Sequence, residues 1–117
     1  MTTARRGALA ATLVLSVAYL VIGLQPRPPQ ALGDVPDVVQ HALAYAFLAV
    51  TTAEGAAALG PARAVVVAVA YALGHGALLE TLQSLTPTRR AEARDLLADG
   101  FGATLGALSW WLLRGRS

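Results

Sequence analysis

The side chains best suited to chemistry in this 117-residue chain recur at helical spacing. Asp37, His41 and Tyr45 lie four residues apart, Gly76, Glu80 and Gln83 follow as i, i+4 and i+7, and Asp95, Asp99, Gly102 and Gly106 form a third series. Each set therefore occupies one face of a helix. Between the second and third lies a charged link that carries Arg89, Arg90, Glu92 and Arg94. Imidazole and carboxylate groups exchange protons or hold a cation through nitrogen and oxygen, and guanidinium pairs bidentately with carboxylate or phosphate. The candidate ligand-binding residues are Asp37, His41, Tyr45, Glu80, Gln83, Arg89, Asp95 and Asp99.

Structural duties compete for some of them. Asp37 and Asp95 suit the positive ends of helices as caps, and Tyr45 suits packing. Capping explains neither His41 nor Glu80. Glu80 falls near the C-terminal end of its helix, where the dipole disfavours an anion, which makes it the strongest candidate. His75 lies about 140° around the helix from Glu80 and is expected to be structural or to sit at the lipid interface. Arg90 and Arg94 suit lipid headgroups. The chain has no cysteine, so disulfides, thiolate nucleophiles and thiolate metal sites are excluded. It also has no H-E-x-x-H or comparable metal spacing and no identifiable Ser, His, Asp order. No cofactor is expected on these grounds, and the catalytic residues, if any, are unassigned.

The elements that must position these groups are written in the distribution of charge. The chain is 56% hydrophobic and 14% charged, and its nine arginines and seven acids avoid residues 8–24, 38–53, 64–79 and 100–113. Long uncharged apolar runs mark membrane spans. The expected architecture is all-α: one integral membrane domain over 1–117, an antiparallel four-helix bundle with spans at about 8–24, 38–59, 64–85 and 95–113. Pro26, Pro28, Pro29 and Pro36 forbid helix through the first link, with Asp34 or Asp37 available to cap the second helix. Gly60-Pro61 ends the second helix and Thr86-Pro87 the third. Trp110-Trp111 followed by Arg114 reads as an aromatic belt and a basic flank. Gly102 and Gly106 form a GxxxG that suits an internal helix contact or a dimer seam.

Arginine placement favours both termini in the cytoplasm, with Arg5, Arg6, Arg63, Arg114 and Arg116 inside and Arg27, Arg89, Arg90 and Arg94 outside. The starts of helices two and four and the end of helix three then meet at the extracytoplasmic side, where a charged group costs about 2.5–3.5 kcal/mol at mid-bilayer unless it faces the bundle. The net charge of +2 does not signal nucleic acid, because the basic residues sit in short flanks without interleaved aromatics.

The ordered set Asp37-x3-His41-x3-Tyr45, Gly76-x3-Glu80-x2-Gln83 and Arg89-x5-Asp95-x3-Asp99-x2-Gly102-x3-Gly106 resembles the VanZ-like family, small membrane proteins named after an accessory factor in teicoplanin resistance. The family usually carries a basic residue where this chain has Val38, and Asn where it has Asp99. The resemblance implies a cell-envelope protein linked to glycopeptide resistance, and it supplies no reaction. An accessory or binding protein is expected, its pocket engaging a lipid-linked wall precursor or a glycopeptide with Arg89 on the anionic group. The alternative is a membrane enzyme in which Glu80 or His41 acts on a lipid-linked headgroup, metal-assisted or not. A small multidrug exporter fits the size alone, since the first span lacks the coupling carboxylate.

Overall fold

The computed structural model describes residues 2–25, 35–85 and 93–114. Helix α1 covers Thr3–Gly23, α2 Asp37–Gly55, α3 Pro61–Ser84 and α4 Ala93–Arg114, and a single 3-10 turn, Ala57–Leu59, lies between α2 and α3. Three of the four, α1, α3 and α4, are long and apolar enough to cross a membrane. Helix α2 is shorter, at 19 residues, and carries Gln40, His41, Thr51, Thr52 and Glu54 among its apolar positions.

Local chemistry explains the helix ends. Helix α1 begins five residues before the apolar run, because the Thr2 side chain accepts from the Arg5 backbone N–H at 3.1 Å. A cap sets where a helix starts, whereas charge sets only where a span can start. Helix α2 stops at Gly55, earlier than expected, and the chain tightens into the 3-10 turn before Gly60 reverses it. Gly60 has φ +96°, a left-handed conformation that needs glycine, and Pro61 opens α3 at the first helical position, where a missing N–H is harmless. Pro36 precedes α2, with Asp37 inside its first turn and making no side-chain cap bond. Asp95 likewise lies inside the first turn of α4, and Asp34 falls outside the described residues.

Side-chain pairs fix how the helices run. Leu9 packs on Gly55, Thr12 donates to Thr51 at 2.9 Å, and the Tyr19 hydroxyl donates to the Ala44 carbonyl at 2.7 Å, so α2 returns along α1 in the opposite direction. Gly102 packs on the Ala42 backbone and Gly106 on the Ala46 backbone, which sets α2 and α4 side by side in the same direction. GxxxG is therefore an internal seam, and it brings the beginnings of α2 and α4 to one end.

The core is built of small residues. Ala49, Ala53, Ala64, Ala68, Ala72, Ala103 and Ala107 are wholly buried beside Leu48 and Tyr45, whereas Leu13, Phe47, Val66, Leu97, Phe101 and Leu112 point outward. Water-soluble proteins bury their large apolar side chains, so an alanine core wrapped in exposed leucine, valine and phenylalanine is the distribution expected of helices solvated by lipid. The tryptophan pair splits: Trp111 is exposed, and Trp110 is buried with its indole N–H donating to Glu54 at 2.7 Å. Adjacent helical residues point about 100° apart, so only one of the two reaches the surface.

Candidate functional site

The site forms where the first turns of α2 and α4 meet the last turns of α3. His41 Nδ1 lies 2.8 Å from Asp99 Oδ1, and His41 Nε2 lies 3.6 Å from Asp95 Oδ2. Asp95 and Asp99 are one helical turn apart, so a single imidazole spans both. Glu80 enters from α3, and one ligand atom from each of His41, Glu80 and Asp95 lies within 4.8 Å of the others. Asp99 is 1% exposed and Glu80 9%, so these carboxylates are withdrawn from solvent. Asp99 fits against α3 only because residue 76 is glycine: a β-carbon there would lie 2.5 Å from Asp99 Oδ2.

A second polar group adjoins the first. The Tyr45 hydroxyl lies 2.8 Å from His75 Nδ1, and His75 Nε2 lies 2.8 Å from the Ser16 carbonyl. A carbonyl only accepts, so Nε2 carries hydrogen, and in the neutral imidazole Tyr45 then donates to Nδ1. The Ser16 hydroxyl donates to the Thr12 carbonyl at 2.6 Å, which makes Tyr71, also 2.6 Å away, its donor. The His41 and Tyr45 rings stack 6.4 Å apart with planes inclined by 12°, which joins the two groups.

The eight candidate residues thus have different surroundings. His41, Glu80, Asp95 and Asp99 converge. Tyr45 is buried beside them but hydrogen-bonds to His75, and Gln83 donates to the Gly23 carbonyl at 2.8 Å, tying α3 to the end of α1. Asp37 is exposed at the start of α2, and Arg89 lies outside the described residues. His75 is buried and doubly hydrogen-bonded, a structural member and not an interfacial one. Its partner on α1 is a backbone carbonyl, which any residue type at position 16 would offer, so the sequence carried no signal for it.

Beside the cluster a groove of about 220 Å³ opens between α1, α2 and α3, lined by Tyr19, Ile22, Gly23, Gln40, His41, Ala44, Tyr45 and Leu79. Its walls are largely apolar, and His41 belongs both to it and to the carboxylate cluster. The chain matches no protein-family model, no curated protein and no solved structure. Function is therefore read from the site itself. At the far end of the molecule Glu54 accepts from Trp110 and, at 2.6 Å, from Arg114, whose guanidinium lies 5.6 Å from the Trp110 ring centre. That clasp closes the end of the bundle opposite the site.

Proposed function

We propose that the chain is a multi-pass cell-membrane protein of the VanZ-like kind, an accessory or binding protein of the bacterial envelope linked to teicoplanin-type glycopeptide resistance. Its four helices cross the bilayer as an antiparallel bundle with both termini in the cytoplasm, and the cluster of α2, α3 and α4 lies at the extracytoplasmic end. The occupant is an amphiphile, a lipid-linked wall precursor or a glycopeptide. The observation that carries this reading is the double position of His41, which forms part of a groove with apolar walls and pairs with buried carboxylates. An acyl or other apolar portion fits the groove while its polar end meets the cluster, with Arg89 on an anionic group. The alanine core and outward-facing apolar side chains support the membrane setting.

Glycopeptide susceptibility of cells expressing His41→Ala, Glu80→Ala and Arg89→Ala at equal membrane levels tests the proposal. Lost tolerance is expected in each. Wild-type tolerance in all three contradicts it.

One feature favours a second reading, a membrane enzyme acting on a lipid-linked headgroup. Asp99 orients His41 as a carboxylate orients a general base, which suits proton abstraction beside Glu80. Turnover of lipid-linked substrates by purified protein, abolished in His41→Ala, distinguishes it from the accessory role.

A further inference from the structure

We propose that Arg5, Arg6 and Arg63 bind the phosphate of an anionic phospholipid, of the phosphatidylglycerol class, at the end of the bundle opposite the carboxylate cluster. The proposal rests on the membrane-spanning reading and not on the glycopeptide role. Its first basis is how the described charges divide. Asp37, Glu80, Asp95 and Asp99 stand with Arg94 at one end, and Arg5, Arg6, Arg63 and Arg114 stand with Glu54 at the other. Glu54 is already committed, since it accepts from Trp110 at 2.7 Å and pairs with Arg114 at 2.6 Å, and Arg5 feels it only at longer range. Arg5, Arg6 and Arg63 are therefore left without a carboxylate at ion-pair distance among the described residues. The register of the helices puts them together. Helices α1 and α3 run in the same direction, with His75 beside Ser16 and Gln83 beside Gly23, and the same offset sets Arg63 at the level of Thr3 and Ala4.

These positions run against the helices that carry them. Arg5 and Arg6 fall within the first four residues of α1 and Arg63 is the third of α3, and neither first turn holds an acid. The positive end of a helix dipole disfavours a cation, so an external anion at this level relieves a conflict that the helices leave standing. Topology alone asks for arginines on this side but not for one drawn into the protein. Arg5 is half-buried, and its Nε is buried with no hydrogen-bond partner among the described residues. Its two Nη nitrogens also bond to no described group and are not shielded with Nε, so they meet the headgroup region. A guanidinium held in this way presents a planar fork that matches phosphate oxygens. The surface beside it selects a lipid over a free anion. One turn further along, Leu9 on α1 and Val66 on α3 are exposed, and Trp111 is exposed at the same end on α4. Acyl chains descending from the phosphate lie against that apolar surface, with the indole at the headgroup boundary.

The test titrates the full chain in detergent with phosphatidylglycerol, phosphatidylcholine and inorganic phosphate, and reads bound species by native mass spectrometry. Phosphatidylglycerol should bind more tightly than either of the others, and its advantage should shrink as salt rises. Arg5→Gln should weaken phosphatidylglycerol about fivefold, and Arg5→Gln/Arg6→Gln/Arg63→Gln should bring it to the level of phosphatidylcholine. Glu54→Gln, which removes the carboxylate at this end, should bind phosphatidylglycerol at least as tightly as the wild type, an outcome that general loss of fold would not give. Equal binding of the two lipids by folded wild-type protein overturns the proposal, as does a preference that survives in the triple variant. Inorganic phosphate that binds as tightly as phosphatidylglycerol overturns the choice of a lipid. A chain extracted from membranes only by detergent, yet indifferent to headgroup, loses this proposal alone, whereas one recovered without detergent loses the spanning reading as well.

Discussion

Asp99 occupies the space that a side chain at residue 76 would need, its Oδ2 lying 2.5 Å from where a β-carbon on Gly76 would stand. Glycine within a helix usually costs about 1 kcal/mol relative to alanine, so Gly76→Ala would otherwise stabilise α3. Here the clash decides the sign. Gly76→Ala is expected to destabilise the protein by about 1–3 kcal/mol by displacing the carboxylate from His41. Thermal unfolding in detergent should show a lower Tm, and in Gly76→Ala/Asp99→Ala the combined loss should be smaller than the sum of the two single losses.

Gly102 makes a harder contact, because the neighbour is the Ala42 backbone and a backbone cannot rotate aside. Gly102→Leu should separate α2 from α4 and remove folded protein from the membrane. Since the seam is internal, size-exclusion chromatography of any folded remainder should show no change from dimer to monomer. A clean change of that kind, with the fold retained, would place the seam between chains instead.

His75→Phe removes an imidazole hydrogen-bonded on both sides and leaves the Tyr45 hydroxyl buried without its partner. A loss of about 1–3 kcal/mol is expected. Glycopeptide tolerance should stay near wild type once expression is equalised, because His75 braces Tyr45 and is not one of the four groups that converge. Tyr45→Phe should cost less, about 1 kcal/mol.

Glu54→Gln weakens the clasp with Arg114 while keeping an acceptor for the Trp110 N–H. Arg114 is exposed, and exposed ion pairs contribute about 0–1 kcal/mol, so the variant should unfold within about 1 kcal/mol of wild type. Its site should be unaffected.

The helices were legible because charge is absent from their apolar runs. Their ends were less so, because the Thr2 cap and the Gly60 reversal act over a few residues that hydropathy does not register. Half of the site was legible in the same way. Spacing placed His41 on one face of α2 and Asp95 with Asp99 on one face of α4, but faces alone do not say which faces meet. That is set by Gly102 and Gly106, which let α4 approach the backbone of α2 at Ala42 and Ala46. The convergence of His41, Glu80 and Asp95 escaped motif reading because its members come from three helices, with no shared local spacing. The angle between His75 and Glu80 on α3 says nothing of the partners of His75, because Tyr45 and Ser16 lie on α2 and α1. The expected role of α2 as a span also outran its composition: it carries Gln40, His41, Thr51, Thr52 and Glu54, of which Thr52 is buried and the others are partly covered.

The central claim, that His41, Glu80, Asp95 and Asp99 meet at the outward end of a membrane-spanning bundle, is tested most directly by sidedness. The chain has no cysteine, so single-cysteine variants report without background. Val38→Cys, at the exposed start of α2, and Arg63→Cys, at the exposed start of α3, mark the two ends of the bundle. A membrane-impermeant maleimide should label residue 38 in intact cells and residue 63 only after permeabilisation. Labelling of both from the same side would contradict the account.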